Sequence, residues 1–228
     1  MTVVAIDGPS GSGKSSVSKA VANTLGFAYL DTGAMYRAAA IWVQNQGIDL
    51  KDHDAVAASV EAMPLIVGLD PSRPTVALGA EDVTKAIRSN EISTVVSKVA
   101  TNLKVRAEMK RLQQKIIADN NAKGIVAEGR DITTVVAPDA DVRLLLVASP
   151  EARLKRRALE NTGKADEKAV EAIKDQVLRR DKDDATVSEF FDAAPGVKLV
   201  DSSDLDFDGT VKAVLAEITK ETGVQPNV

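Results

Sequence analysis

The chain has 228 residues, of which 44% are hydrophobic, 27% charged and 3% aromatic, and its formal net charge is −4 at pH 7. Such a chain is long enough for one ordinary α/β core with insertions. The negative charge and the scarcity of aromatic rings argue against a general nucleic-acid surface, and the absence of cysteine excludes disulfides and thiolate zinc sites. No secretory signal pattern and no run of about 18 apolar residues is present, so we expect a cytoplasmic protein without a membrane partner.

The first predicted strand, residues 2–6, leads directly into a glycine-rich segment that fits the phosphate-binding loop pattern G-x-x-x-x-G-K-S/T. Glycines let backbone amides turn inward around a triphosphate, and the helix predicted over about residues 13–25 points its positive end at the same phosphates. Lys14 can reach the β and γ phosphates, and the Ser15 hydroxyl can ligate Mg²⁺. We therefore expect a nucleoside triphosphate on the loop, which consists of Gly8, Pro9, Ser10, Gly11, Ser12, Gly13, Lys14, Ser15 and Ser16.

A second predicted strand, residues 27–30, ends at a polar cluster just before the next predicted helix, residues 34–46. Open α/β sheets bind their ligands at such strand ends. The Thr32 hydroxyl and the forked guanidinium of Arg37 could together hold a phosphate group, and Asp31 could position a nearby amide or water. The alternative is that Asp31 or Thr32 is only a helix cap.

The stretch between residues 51 and 83 differs from the strand and helix alternation around it. Asp52 is a possible cap of a helix that begins beside His53, the single histidine, which we expect at the surface. Residues 65–67 and 75–78 are short β-like pieces on either side of a turn-rich segment, and they predict a small antiparallel insertion. With one histidine, Ser-His-Asp chemistry and histidine-rich metal sites are nearly excluded.

Three later strands are predicted over residues 125–127, 142–147 and 197–200, and a closing helix over about 207–222. The alternation of strands and helices favours a parallel sheet with helices on its faces. A carboxylate at a strand end is the usual partner of Mg²⁺ at a phosphate loop, and either Glu128 or Asp131 could serve. Arg130 would be a second arm on an acceptor phosphate, unless this segment is only a turn.

Residues 151–184 are dominated by charged side chains and predict two helices joined as a hairpin. Most of these charges are expected to be solvated. Two arginine-rich clusters, residues 153–157 and 179–180, stand near the two ends of the hairpin. A hairpin with arginines at its base can act as a lid that neutralises a transferring phosphoryl group. We expect Arg156 or Arg157, together with Arg180, in this role.

Together these segments resemble the bacterial cytidylate kinases of the nucleoside monophosphate kinase group, nearly end to end. The resemblance lies in the phosphate loop, the β insertion and three motifs: LDTGAMYR at 30–37, EGRD at 128–131 and RDKDD at 180–184. It implies a three-layer α/β phosphate-loop fold with a central parallel sheet, as one kinase domain over residues 1–228. Its parts are a core (about 1–36, 101–150 and 186–228), an acceptor-binding insertion with a small antiparallel sheet (about 37–100) and a helical lid (about 151–185).

The resemblance implies transfer of the γ-phosphoryl of ATP to CMP or dCMP, with Mg²⁺ bound through the ATP. Residues expected to act in catalysis are Lys14, Arg130, Arg157 and Arg180, and ATP is expected to contact Arg156 and Arg157 in addition to the loop. The positions that correspond to the acceptor site are Asp31, Thr32, Arg37, Ser97, Arg106, Arg130, Asp131, Arg180 and Asp184. Of these, Ser97 and Arg106 correspond to the family's cytosine contacts, and Arg180 and Asp184 to its sugar contacts.

The chain departs from the family pattern directly after the lid. That pattern has a serine and an arginine where this chain has Ala185 and Val187. One contact to the base or the phosphates is therefore missing or supplied elsewhere, which leaves the tolerance of UMP open.

Two other functions are compatible with a phosphate loop. A kinase acting on a non-nucleotide hydroxyl would need a catalytic base beside that hydroxyl, and it would not need the β-rich insertion. A nucleotide-dependent binding protein or switch would bind ATP without acceptor-dependent turnover. A switch GTPase is disfavoured because no guanine-reading Asn-Lys-x-Asp motif is present. We expect a monomer, since the charged surface shows no apolar heptad pattern.

Overall fold

The computed structural model describes residues 1–120, 122–188 and 190–226, except for the side chains of residues 160–162, 175, 176, 180 and 184. The strands are β1 (Thr2–Asp7), β2 (Ala28–Asp31), β3 (Leu65–Gly68), β4 (Thr75–Leu78), β5 (Glu81–Asp82), β6 (Gly124–Gly129), β7 (Val142–Val147) and β8 (Lys198–Asp201). The helices are α1 (Lys14–Leu25), α2 (Thr32–Asn45), α3 (His53–Glu61), α4 (Asn90–Ala100), α5 (Leu103–Asp119), α6 (Pro150–Thr162), α7 (Glu167–Ala185) and α8 (Phe207–Thr222). None of the helices in these described segments is long and apolar enough to cross a membrane.

Five parallel strands form the central sheet in the order β2-β6-β1-β7-β8. The strand β1 lies in the middle, and it pairs in register with β6 from Thr2 opposite Gly124 to Asp7 opposite Gly129. Because parallel strands share one direction, the carboxyl ends of β1, β2 and β6 lie at the same edge of the sheet. The phosphate loop, the start of α2 and residues 128–131 are therefore neighbours, and the predicted parallel scheme is confirmed.

Helices cover both faces of the sheet because successive strand residues point to opposite faces. Ala5 and Ala127 belong to a core shared with α2, α4 and α5. Val4, Ile6 and Val126 belong to a second core shared with α1 and α8. These two cores, on opposite faces of one sheet, confirm the predicted three-layer α/β fold. Both are built mainly from aliphatic side chains, as the scarcity of aromatic residues requires.

The predicted antiparallel insertion is present as the sheet β3-β4-β5. Val76 and Leu78 of β4 are buried in the same core as α2, so the insertion is fixed to the helix that begins at the edge of the main sheet. As predicted, Asp52 caps α3 by accepting a hydrogen bond from the Ala55 amide at 3.0 Å, and His53 is exposed.

The helices α6 and α7 form the predicted hairpin, which is called the lid hairpin below. Its first helix, α6, is capped by Ser149, whose hydroxyl accepts from the Ala152 amide at 3.2 Å, and Pro150 occupies the first turn. The two helices meet through a small apolar contact that includes Ala158 and Ile173. This contact is modest beside the two cores, so the lid hairpin depends on polar contacts with the rest of the chain for its position.

Candidate active site

The phosphate loop joins β1 to α1, and its path depends on glycine at two points. Gly13, just before α1, has φ 88°, in the left-handed region that side chains disfavour. A Cβ on Gly11 would lie 2.5 Å from the backbone oxygen of Arg153, so the loop approaches α6 too closely for a side chain. The loop therefore ends at the amino terminus of α1, where unpaired amides and the helix dipole favour an anion.

Lys14 and Glu128 meet beside this loop. The Lys14 Nζ lies 3.9 Å from Oε2 of Glu128, and the Tyr29 hydroxyl donates to Oε1 of Glu128 at 2.9 Å. The Ser15 side chain is also hydrogen-bonded to Glu128. Burial raises the pKa of Glu128 and the charge of Asp31 adds to this, whereas Lys14, Ser15 and Tyr29 oppose the shift. An ammonium group, a hydroxyl and a carboxylate thus share the position where the sequence predicts the β and γ phosphates.

The two carboxylates that the sequence left open as partners of Mg²⁺ have different neighbours. Glu128 is bonded to Ser15, whereas Asp131 accepts a hydrogen bond from Arg106. The same nitrogen of Arg106, Nη2, donates to the Ser188 hydroxyl at 2.9 Å. Glu128 therefore belongs to the phosphate loop side of the site, and Asp131 belongs with Arg106.

The loop that carries Arg130 and Asp131 is anchored by Asp7, which sequence reasoning did not single out. The Asp7 carboxylate is buried and accepts hydrogen bonds from the Ile132 amide at 2.9 Å, the Thr133 amide at 2.8 Å and the Thr133 hydroxyl at 2.6 Å. Burial raises the pKa of Asp7, and the bonds from Thr133 and Ile132 oppose that shift. The feature of the sequence that could have identified this anchor is a carboxylate at the end of a buried strand.

A cavity of about 140 Å³ opens beside these groups. The residues that line it and were predicted from sequence are Ser10, Gly11, Gly13, Lys14, Ser15, Ser16, Asp31, Thr32, Arg37, Arg106, Glu128, Arg130, Asp131 and Arg157. Gly8, Pro9 and Ser12 belong to the same loop but are not among the lining residues. Ser97 is not among them either, and α4 contributes Val96 and Ala100. Predicted ATP-side and acceptor-side residues therefore border one space.

Two predicted phosphate ligands already have partners within the protein. The Thr32 hydroxyl donates to the Glu128 carbonyl at 2.8 Å, so its proton ties α2 to β6 and is not directed at a phosphate. A contact between Thr32 and the acceptor phosphate stays a prediction. Arg37 is 5% exposed, and its Nη1 donates to the Ile87 carbonyl at 3.1 Å and to the Ser93 hydroxyl at 3.0 Å. These bonds fix the Arg37 guanidinium at the wall of the cavity.

Asp31 caps a helix and also forms an ion pair that the sequence did not predict. It caps α2 by accepting from the Ala34 amide at 2.8 Å, which is the cap alternative. Its other oxygen pairs with Arg88 of the insertion at 2.8 Å. The insertion is thus tied by an ion pair to the edge of the main sheet.

The lid hairpin is fixed to the phosphate loop through Asp181, which the sequence did not indicate. This buried carboxylate accepts from the Ser10 amide at 3.0 Å, from Nη1 of Arg130 at 3.0 Å and from Arg153. Arg153 also donates to the Ser10 carbonyl at 2.9 Å. Burial alone would raise the pKa of Asp181, but Arg130, the Ser10 amide and Arg153 lower it overall. One carboxylate therefore joins the loop, both lid helices and the predicted phosphate-binding arginine.

The structure separates Arg156 from Arg157, which the sequence treated as equivalent. Arg156 donates to the Ser12 carbonyl at 3.2 Å, to the hydroxyl and carbonyl of Ser202 at 2.9 and 2.6 Å, and to the Leu205 carbonyl at 3.1 Å. These bonds tie α6 to the phosphate loop and to the segment before α8. The contact of Arg156 with ATP stays a prediction. Arg157 lines the cavity.

A wider cleft of about 1620 Å³ lies between α1, the insertion and the lid hairpin. The charged residues that line it in the described part of the chain are all cationic: Lys19, Arg37, Arg88, Arg157, Arg179 and Lys182. Such a cleft attracts anions even in a chain whose net charge is negative. Arg157 borders both this cleft and the smaller cavity. The side chains of Arg180 and Asp184, predicted at the acceptor sugar, lie outside the described residues.

Comparison with known proteins adds a family and its members. The family model described as cytidylate kinase matches residues 4–220. The chain is 47% identical over 215 residues to the cytidylate kinase of Cutibacterium acnes, covering 93% of this chain and 94% of that one. It is 44% identical over 221 residues to the cytidylate kinase of Streptomyces avermitilis, covering 96% and 93%. An uncharacterized protein of known structure from Eubacterium ventriosum has a TM-score of 0.51 at 13% identity, covering 96% and 98%, which concerns the fold alone.

Proposed function

The chain belongs to the cytidylate kinase family, and we propose how its site performs the reaction of that family. The enzyme transfers the γ-phosphoryl of ATP to CMP or dCMP, giving ADP and CDP or dCDP. The observation that carries the division of roles is that one cavity is lined both by Lys14 of the phosphate loop and by Arg37, Arg106 and Arg130. ATP occupies the Lys14 side and the acceptor nucleotide occupies the arginine side.

On the ATP side, the loop amides and Lys14 hold the β and γ phosphates. Lys14 is 15% exposed and held near Glu128, so it is oriented before ATP arrives. Arg157 of the lid reaches the same space and neutralises the phosphoryl group during transfer. Arg156 holds α6 in place and thereby fixes the position of Arg157 at the cavity.

On the acceptor side, Arg37 and Arg130 hold the phosphate of the monophosphate. Each guanidinium is oriented by the protein: Arg37 by Ile87 and Ser93, and Arg130 by Asp181. Oriented cations lose little freedom when the substrate binds, and they align the acceptor oxygen with the phosphoryl group. The paired Arg106 and Asp131 face the base.

No general base is required, because the attacking group is a phosphate oxygen that is already anionic near neutral pH. Rate enhancement then comes from alignment and from neutralisation of the charge on the phosphoryl group. The lid hairpin excludes water, which would otherwise compete with CMP as the acceptor and hydrolyse ATP.

The residues beside Lys14 fit a magnesium ion carried by ATP. Mg²⁺ prefers oxygen ligands and takes one or two of them from the protein, the others coming from phosphates and water. The Ser15 hydroxyl and the Glu128 carboxylate are such ligands and are bonded to each other. We assign Ser15 as the direct ligand and Glu128 as the carboxylate behind it, while Asp131 is committed to Arg106. When bound, the ion neutralises charge on the phosphates.

The proposed roles also define how the chain is divided. The core, residues 1–36, 101–150 and 186–228, carries the loop and Arg130. The insertion, residues 37–100, carries Arg37 and is tied to the core by Asp31 and Arg88. The lid, residues 151–185, carries Arg157 and retains Arg180 and Asp184 as predicted sugar and phosphoryl contacts.

The experiment that tests this function is coupled ADP release from Mg·ATP with CMP, dCMP, UMP, AMP and a small hydroxy acid as acceptors. We expect rapid ADP release with CMP and dCMP and little with AMP or the hydroxy acid.

Arg130→Met is expected to raise the KM for CMP and lower kcat, because the acceptor phosphate loses a bidentate partner. Arg73→Met, an exposed arginine of the insertion, is the matched control and is expected to leave both parameters unchanged.

A further inference from the structure

The segment that follows α7 returns from the lid hairpin to the cavity of about 140 Å³ that Lys14 and Arg106 line. Its residue Ser188 is half-buried and lines that cavity. Two positions later, Phe190 has no exposed surface and packs in an apolar cluster with Leu145 and Val197. The Arg130 guanidinium lies over the Phe190 ring at 4.5 Å. This anchor holds the segment against the core, so the position of Ser188 is set by packing.

Ser188 meets Arg106, the residue that pairs with Asp131. Besides donating to Ser188 and Asp131 through Nη2, Arg106 donates through Nη1 to the Ala100 carbonyl at 3.2 Å. Its guanidinium carbon also lies 5.9 Å from the centroid of the Tyr36 ring. The guanidinium is therefore held by contacts from four different segments, and Ser188 is the contact that the segment after the lid supplies.

We infer that Ser188 is a specificity-determining residue for the base of the acceptor nucleotide. The inference rests on the proposed function, since it concerns the acceptor side of that site. Because the Ser188 oxygen accepts from Arg106, the hydroxyl proton points away from Arg106 and is available to a ligand in the cavity. Asp131 and Ser188 use both hydrogens of Nη2, so Arg106 offers the base the second hydrogen of Nη1, and the Ser188 hydroxyl is the other donor of the pair.

A pair of donors distinguishes cytosine from uracil. On cytosine the ring nitrogen N3 and the oxygen O2 are adjacent acceptors, so both donors find partners. On uracil N3 carries a hydrogen, so the protein donor opposite N3 meets an N–H group and has no acceptor. A buried donor left without a partner disfavours the wrong base more strongly than a missing apolar contact does. Ser188 therefore contributes to the preference for CMP over UMP.

The test compares Ser188→Ala with Ser188→Thr, which keeps the hydroxyl, and with Thr186→Ala as a control from the same segment. Thr186 is exposed, and its hydroxyl donates to the Asp183 carbonyl at 2.6 Å outside the cavity lining. The ratio of kcat/KM for CMP to that for UMP is measured for each protein, together with the KM for ATP and the melting temperature.

We expect Ser188→Ala to lower the ratio of CMP to UMP about tenfold, mainly through a higher KM for CMP. The KM for ATP and the melting temperature stay near the wild-type values, and Ser188→Thr and Thr186→Ala keep the wild-type ratio. If the wild type is active and the CMP to UMP ratio of Ser188→Ala lies within about twofold of the wild-type ratio, this inference alone is overturned. A wild-type protein without CMP-dependent ADP release overturns the proposed function, and the inference with it.

Discussion

Replacing Asp181 by Asn tests the polar junction that holds the lid hairpin against the phosphate loop. Asparagine has nearly the same shape and retains one acceptor oxygen, but it removes the negative charge between Arg130 and Arg153. Both guanidinium groups are largely buried, with side chains 13% and 8% exposed, and the Asp181 side chain is 4% exposed. The substitution therefore leaves two cations close together with no charge between them.

Breaking a buried ion pair by removing one partner costs about 3–5 kcal/mol. Asparagine keeps part of the hydrogen bonding, so we expect the lower end, a loss of about 3 kcal/mol in the free energy of unfolding at pH 7. The KM for CMP should rise in parallel, because Asp181 orients Arg130 through a bond of 3.0 Å.

The assay is urea denaturation followed by circular dichroism, for the wild type, Asp181→Asn and the control Glu151→Gln. Glu151 lies on the same lid hairpin in an exposed pair with Lys155, so its substitution is expected to leave the midpoint unchanged.

The difference in the free energy of unfolding between wild type and Asp181→Asn depends on pH, and the direction of this dependence follows from the pKa of Asp181. The pKa of Asp181 is lowered from its ordinary value of 3.8 in the folded protein. The stability that its charge contributes is therefore complete above that ordinary value, and it is lost as the pH falls through the lower, folded-state pKa. We expect wild type and Asp181→Asn to converge in this acidic range. Equal stability of the two proteins at pH 7 would refute the reasoning.

Three further substitutions separate catalytic, electrostatic and structural roles. Lys14→Ala is expected to lower kcat about 100-fold or more with an unchanged circular dichroism spectrum, and near-normal turnover would contradict the loop assignment. Tyr29→Phe removes a hydrogen bond that lowers the pKa of Glu128, so the acid limb of the kcat profile should move to higher pH, and an unmoved limb would contradict the role given to Glu128. Arg156→Ala is expected to lower the free energy of unfolding by about 2 kcal/mol in urea denaturation, because Arg156 donates hydrogen bonds to Ser202. The KM for CMP should stay unchanged, because Arg156 does not contact CMP in the proposed site.

The features that local sequence encodes were predicted well. The strand before the phosphate loop, the loop itself and the start of α1 follow from an apolar run and from glycines that few other residues could replace. The strand over residues 142–147 and the helix over residues 207–222 match the predicted bounds, because each is a continuous local pattern. The shared edge of the sheet then brings residues 31–37 to residues 128–131 without further information.

Contacts between distant segments were not predictable from local pattern. Ser10 and Asp181 are 171 positions apart, and Asp181 stands in a run of charges that is typical of a solvated helix. Ser188 lies in a segment with no periodic pattern, and its packing is set by Phe190. Such pairings depend on how the lid hairpin folds back onto the core, which no single segment encodes.

Neighbouring arginines posed a different problem. Arg156 and Arg157 are adjacent on α6, and successive helical residues point about 100° apart. One therefore faces the segment before α8 and the other faces the cavity. Sequence spacing gives this difference in direction but not which of the two faces the site, because the absolute rotation of the helix is set by tertiary contacts.

The most direct test of the central claim follows the phosphoryl group itself. ATP labelled in its γ-phosphoryl is incubated with Mg²⁺, CMP and the enzyme, and the nucleotides are separated by chromatography. The account predicts that the label moves to CDP in step with ADP formation, and that Lys14→Ala slows this transfer about 100-fold or more. Label released as inorganic phosphate, or retained in ATP while CMP is unchanged, would contradict the account.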